Sequence, residues 1–181
     1  MFSYNFILNS KDYQKINSSP KRSFIEKRLE KYGELKVKVK DFELIKKLSH
    51  VNSFINKILP ELDNKSVGID DYWATPKEFL LNGYGDCEDF AIAKYFTLLE
   101  LGIDKNDLYL ANVIIKKKNE SHMVLLYKDK KMKTPIVLDN IINQILPLNK
   151  RADLTQIAAF NESSWYRLNN NELTFHSAVN F

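Results

Sequence analysis

An α+β fold, in which helices come first and an antiparallel β-sheet follows, is predicted by three observations. Apolar residues recur at helical spacing from about residue 24 to residue 58. Residues 90–101 are almost wholly apolar and long enough for a buried helix. Three β-rich runs, 108–115, 122–127 and 135–139, are then separated by lysine-rich turns, the pattern of a meander packed on that helix.

Taken in order, residues 1–19 are expected to be a flexible or extended segment. Ser19-Pro20 reads as N-cap and first helical residue, with Phe24, Ile25, Arg28, Leu29 and Tyr32 on one face up to Gly33. Residues 35–40 alternate like a strand, but Phe42, Ile45, Leu48, Phe54, Ile55 and Ile58 return to helical spacing before Pro60, so helices are expected throughout. Thr75-Pro76-Lys77-Glu78 is a capping box with proline at its favoured place, and it starts a short helix ending near Gly83. In the apolar helix, Lys94, Thr97 and Glu100 form a narrow stripe expected to reach water, and Gly102 closes it. The tail, with Phe160, Trp165, Tyr166 and Phe175, is expected to add a helix turn and a last strand.

The 181 residues are expected to form a single domain, 1–181, with 44% hydrophobic and 28% charged residues supporting an ordinary core. The net charge of +4 comes from scattered lysines. Its denser runs, Lys116-Lys117-Lys118 and 128–133, coincide with turns and are read as solvated rather than as a nucleic-acid patch. The single cysteine excludes an intrachain disulfide and a multi-cysteine zinc site. No apolar run is long enough to span a membrane, and the first residues do not read as an export signal, so neither membrane insertion nor nucleic acid is expected.

That cysteine lies in Gly83-Tyr84-Gly85-Asp86-Cys87-Glu88-Asp89-Phe90, at the start of the apolar helix. The helix dipole and the free N–H groups of a first turn favour a thiolate, whereas Asp86, Glu88 and Asp89 oppose it. A cysteine nucleophile needs a base and a group to orient that base. Of His50, His122 and His176, His122 opens the apolar strand Ser121-His122-Met123-Val124-Leu125-Leu126 and is best placed. A four-residue turn over 129–132 would set His122 directly opposite Asp139. Structural alternatives stand beside these assignments: a core cysteine, a structural strand histidine, and Asp139-Asn140 as a cap.

The blocks Asp71-Tyr72-Trp73-Ala74-Thr75-Pro76, Gly85-Asp86-Cys87-Glu88-Asp89-Phe90-Ala91-Ile92-Ala93-Lys94-Tyr95, Ser121-His122-Met123-Val124-Leu125 and Val137-Leu138-Asp139-Asn140 occur in order. Together they resemble the bacterial transglutaminase-like cysteine proteases of the periplasmic LapG type, from about residue 20 onward. The resemblance implies a papain/transglutaminase-like fold whose buried catalytic helix packs on an antiparallel sheet, with Cys87, His122 and Asp139 as catalytic triad. It implies cleavage of the N-terminal region of a large surface adhesin after a pair of alanines, which releases cells from biofilms. It further implies a calcium site on Asp86 and Glu88, with Asp89 as a further ligand, and control by an inner-membrane receptor of the LapD type that senses cyclic di-GMP. A periplasmic address rests on the same resemblance. Tyr84, between the two glycines, departs from the family pattern.

Calcium also has a physical motive. Asp86 and Asp89 suit a helix start by themselves, but they disfavour a thiolate, and a hard dication on carboxylate oxygens would cancel that repulsion. The expected chemistry is acyl transfer to water, with backbone N–H groups, including that of Cys87, meeting the oxyanion. Trp73 either lines the substrate groove or belongs to the core. Transfer of the acyl group to an amine, in transglutaminase fashion, and a non-catalytic protein-binding module are the alternatives on the same fold.

Overall fold

A computed structural model describes residues 6–61, 72–161, 165–169 and 172–176. Within the segment expected to be flexible, α1 (Ser10–Ser18) is a helix with its own capping box. The Asn9 side chain accepts from the Lys11 and Asp12 N–H groups, and Asp12 accepts from Asn9 N–H at 2.7 Å. Helix α2 (Arg22–Val39) runs through Gly33, and residues 35–39 continue it rather than forming a strand. It also starts two residues beyond Pro20, because the Ser19 hydroxyl accepts from Lys21 N–H in a turn and caps no helix. Helix α3 (Leu44–Ile55) leads into a two-residue strand, β1 (Leu59–Pro60).

Helix α4 (Pro76–Asn82) begins at Thr75 with the expected reciprocal cap to Glu78 and ends at left-handed Gly83. Strand β2 (Tyr84–Gly85) pairs in parallel with β1, and α5 (Cys87–Glu100) follows at once. The core lies around α5, which packs on β4 and β3 on one side and on α3 and α4 on the other. Phe90 and Leu98 are fully enclosed, and the Phe79 and Phe90 rings meet edge-on with centroids 4.9 Å apart. A buried aromatic of this kind is worth about 3–5 kcal/mol against alanine.

Of the expected water-facing stripe on α5 only Glu100 is exposed. Lys94 and Thr97 are buried, because α5 is covered on both sides. Thr97 is satisfied internally, its hydroxyl donating to Ala93 O at 2.6 Å and lying 3.1 Å from the Tyr32 hydroxyl. Lys94 is surrounded by core and lies over the Phe90 ring at 5.9 Å. Burial depresses its pKa to about 7 against the opposing pull of Asp139.

Among the described residues, seven antiparallel strands form the sheet: β3 (Leu108–Ile115), β4 (Glu120–Tyr127), β5 (Ile136–Leu138), β6 (Leu146–Pro147), β7 (Leu154–Phe160), β8 (Trp165–Asn169) and β9 (Glu172–His176). Their spatial order is β6-β5-β4-β3-β7-β8-β9. The tail therefore contributes a 3₁₀ turn at Leu148–Lys150 and three strands, not one, with β7 returning to the free edge of β3. Alternation divides the strands between two cores. Leu125, Tyr127, Ile136 and Leu138 face the helices, while Val124, Leu126 and Val137 join Leu148 and Leu154 on the other face.

Strands β4 and β5 pair Leu125 with Leu138 and Tyr127 with Ile136, so the connection spans residues 128–135 and is longer than the expected 129–132 turn. The register is displaced by two. An even shift keeps each residue on its face, and Asp139 becomes the diagonal rather than the direct neighbour of His122.

Candidate active site

The loop before α5 is shaped by two glycines with different tasks. Gly83 has φ +80°, and the Arg28 guanidinium packs where a side chain would stand. From there Arg28 Nη1 donates to Leu80 O at 2.6 Å and Leu81 O at 3.2 Å, two terminal carbonyls of α4. Gly85 is needed for close approach, since a Cβ there would lie 2.6 Å from Asp89 Oδ2 and 2.7 Å from the Phe79 ring. The chain thus enters α5 tightly, with Asp86 as N-cap and Cys87 as first helical residue.

Cys87 and His122 line one cleft of about 660 Å³, together with Asp86, Glu88, Trp73 and Asn140. A larger groove of about 770 Å³ beside α2 and α3 has no cysteine in its lining, so the thiol chemistry belongs to the smaller cleft. The Cys87 thiol donates to Glu88 Oε2 at 2.8 Å. Burial, then the Glu88 hydrogen bond and charge, push its pKa up to about 12; Met123 N–H, donating to the sulfur, opposes the rise, and the Asp86 charge adds to it. In this arrangement the helix dipole is outweighed and the thiol is held protonated.

His122 is buried on β4, and its Nε2 lies 2.8 Å from Asp139 Oδ1. That contact makes Nε2 the protonated nitrogen of the neutral ring and leaves Nδ1 as the basic one. Asp139, immediately after β5, is enclosed and fully engaged. Oδ1 also accepts from Ile141 N–H at 2.9 Å, and Oδ2 accepts from Arg151 Nη2 at 2.8 Å. Burial alone would raise the pKa of Asp139, but the His122 hydrogen bond and charge, then the Ile141 and Arg151 hydrogen bonds, outweigh it and hold the value near about 2. Its backbone is fixed from the C-cap of α3, where Asn56 Nδ2 donates to Asp139 O at 2.7 Å.

The three carboxylates beside the sulfur part company. Asp86 and Glu88 line the cleft, whereas Asp89 is buried and its Oδ1 accepts from Ala74 N–H at 2.7 Å. Asp89 thus ties the segment carrying Trp73 to α5. Among the described residues, no group of three or more His, Cys, Asp and Glu side chains is gathered to hold a metal ion. Trp73 is 45% exposed on the cleft wall. His50 is remote from this chemistry, its Nδ1 lying 2.8 Å from Lys46 O, and His176 sits on the sheet-edge strand β9. Sequence reasoning missed Arg151 and Asn56: each is a lone polar residue outside any motif, and only the tertiary fold brings it to Asp139.

A helix-borne cysteine sharing a cleft with a strand histidine that is bonded to an aspartate defines a cysteine hydrolase of transglutaminase-like architecture. The chain belongs to the bacterial transglutaminase-like cysteine proteinase family (BTLCP), whose model matches residues 23–172. It is similar to Legionella pneumophila LapG, with 34% identity over 87% of this chain and 84% of that one, at a TM-score of 0.74. The calcium-bound form of that protein aligns at 32% identity over 93% and 90% of the two chains, with a TM-score of 0.74. Its EGTA-treated form aligns at 33% over 92% and 89%, with a TM-score of 0.75. No curated protein matches the chain.

Proposed function

We propose that the protein is a calcium-dependent cysteine endopeptidase that cuts the N-terminal region of a large surface adhesin near a di-alanine site in the periplasm, releasing the adhesin and dispersing a biofilm. The observation that carries this reading is the His122–Asp139 bond behind the cleft that holds Cys87, in a chain about one-third identical to LapG. An inner-membrane receptor of the LapD type that senses cyclic di-GMP is the proposed regulator.

In the reaction, His122 Nδ1 accepts the thiol proton of Cys87, and the sulfur attacks the peptide carbonyl carbon. The backbone N–H of Cys87, at the start of α5, is placed among the oxyanion donors. Imidazolium then protonates the leaving amine, and water, deprotonated by His122, releases the acid from the thioester. Asp139 holds the ring in the tautomer that leaves Nδ1 basic and stabilises the imidazolium. Trp73 on the wall narrows the cleft for small side chains such as alanine.

The cleft suits calcium in its donor chemistry, because Asp86 and Glu88 offer hard oxygens on either side of Cys87 and waters or carbonyls complete such a sphere. Glu88 is at the same time the carboxylate that keeps the thiol protonated. Calcium, when bound, supplies positive charge that neutralises these acids. Asp86 and Glu88 are the proposed ligands, with Asp89, whose Oδ1 accepts from Ala74 N–H, as a further one.

The test is incubation with the N-terminal region of a large adhesin from the same organism, with calcium, with chelator, and with Cys87→Ala. Two hydrolysed fragments in the first condition alone are expected. Isopeptide adducts with an added amine would point instead to acyl transfer, and an intact substrate in all three conditions would refute the reading.

A further inference from the structure

Arg151 has no role in the chemistry described above, yet it is placed as though it had one. It follows the 3₁₀ turn Leu148–Lys150 and precedes β7, and its side chain is almost wholly buried. The guanidinium is a two-sided clamp. Nη2 donates to Asp139 Oδ2 at 2.8 Å on the inner side, and Nε and Nη2 donate to Asp153 Oδ1 and Oδ2 at 2.9 and 2.7 Å on the outer side. Asp153 is half exposed and is itself anchored through its backbone, its carbonyl accepting from Lys116 N–H at 2.9 Å.

We propose that Arg151 is a positioning residue for the catalytic base, extending the Cys87, His122, Asp139 constellation by an arginine that fixes which oxygen Asp139 offers to the imidazole. This rests on the cysteine-protease reading. A carboxylate pivots about its Cβ–Cγ bond, and the Nε2–H of His122 is directional, so the bond survives only if the pivot is blocked. Oδ1 receives two donors, from His122 and Ile141, and the second oxygen would otherwise be a buried anion with no partner. Arginine suits this place better than lysine, because its rigid fork bonds Asp139 and Asp153 together. Among the described residues Lys94 is a second cation facing Asp139, but it acts through charge alone. The sequence gives no sign of this clamp, since Arg151 lies twelve positions beyond Asp139 and in another element.

The experiment compares Arg151→Met, Arg151→Lys and Asp153→Asn with the native chain, all in calcium. Three readouts are taken: turnover of an adhesin-derived peptide, the rate at which iodoacetamide alkylates Cys87, and the downfield proton resonance of the His122 Nε2–H. For R151M a fall of about 10–100-fold in kcat with little change in KM is expected, the scale of a misplaced catalytic group. The alkylation rate falls with it and the Nε2–H resonance is lost. R151K restores part of each, and externally added guanidinium restores R151M where equal sodium chloride does not. A purely structural role would lower the melting temperature and leave the resonance and kcat of the folded fraction untouched, and that result overturns the proposal. Should R151M fail to fold, R151K decides: its ammonium lacks the fork that bonds Asp139 and Asp153 together, and a kcat and resonance identical to native would overturn the proposal equally. Alkylation and the resonance need no protein substrate. If the native chain cleaves no adhesin peptide while both still respond to Arg151, the substrate reading fails and the clamp stands.

Discussion

Replacing Glu88 by glutamine removes the carboxylate that accepts the Cys87 thiol hydrogen at 2.8 Å, and its effect should reverse with calcium. Between the ordinary thiol value of 9.0 and about 12, the thiolate fraction at neutral pH falls about a thousandfold. Burial is the largest cause of that rise and is untouched by E88Q; the Glu88 hydrogen bond and charge come next and are removed. For each tenfold gain in thiolate, the weaker nucleophilicity of a less basic thiolate leaves a net gain in alkylation of about threefold. The assay is the second-order rate of iodoacetamide with Cys87 at neutral pH, in chelator and in saturating calcium. In chelator E88Q should react faster than native; in calcium native should react faster, because E88Q lacks the proposed Glu88 ligand. Equal or slower reaction of E88Q in chelator would refute the claim that Glu88 keeps the thiol protonated. An unchanged order in calcium would refute its role as ligand.

Asp139→Asn should lower kcat about 10⁴-fold, as expected when the orienting carboxylate is replaced and the wrong tautomer is held, with circular dichroism checking that the fold survives. Asp139 also makes stability depend on pH. Its folded pKa is depressed from 3.8 to about 2, so its contribution, about 2 kcal/mol, is complete above roughly pH 5 and is lost as pH falls from about 4 to 2. Urea midpoints at pH 5 and pH 2 should converge in D139N relative to native. Lys94→Met should stabilise the protein by on the order of 2–4 kcal/mol at neutral pH, since a buried lysine with its pKa depressed to about 7 opposes folding wherever the unfolded chain holds the proton. The native chain should accordingly gain stability between pH 7 and 10, and K94M should not; thermal melts across that range check both.

Local signals were legible wherever one residue type had one physical use. Thr75, Pro76 and Glu78 together fix a helix start, and Gly83 its end. The pairing of His122 with Asp139 is expected from a four-residue turn that the chain does not make, and it survives because a register displaced by two leaves strand parity unaffected. Burial of Lys94 and Thr97 was not legible, since a polar residue every third position reads as a wet stripe unless it is known that a sheet and a helical layer cover both sides. The helix at residues 10–18 was hidden for a related reason: its start is marked by Asn9 and Asp12 but only Ile16 in it is buried, so it carries little apolar periodicity. Arg151 and Asn56 were invisible because their partner is distant in sequence and a single polar residue has no periodicity to betray it.

The bond from Ala74 N–H to Asp89 has a consequence for how this enzyme can change. Asp89 belongs to the first turn of the helix that presents the sulfur, and Ala74 is next to the tryptophan on the cleft wall. The wall and the nucleophile therefore share an anchor, and a substitution at Asp89 acts on both. Altered substrate preference in this scaffold should be sought first in the Asn140 and Ile141 side chains of the cleft lining, since Met123 is bonded through its own N–H to the Cys87 sulfur.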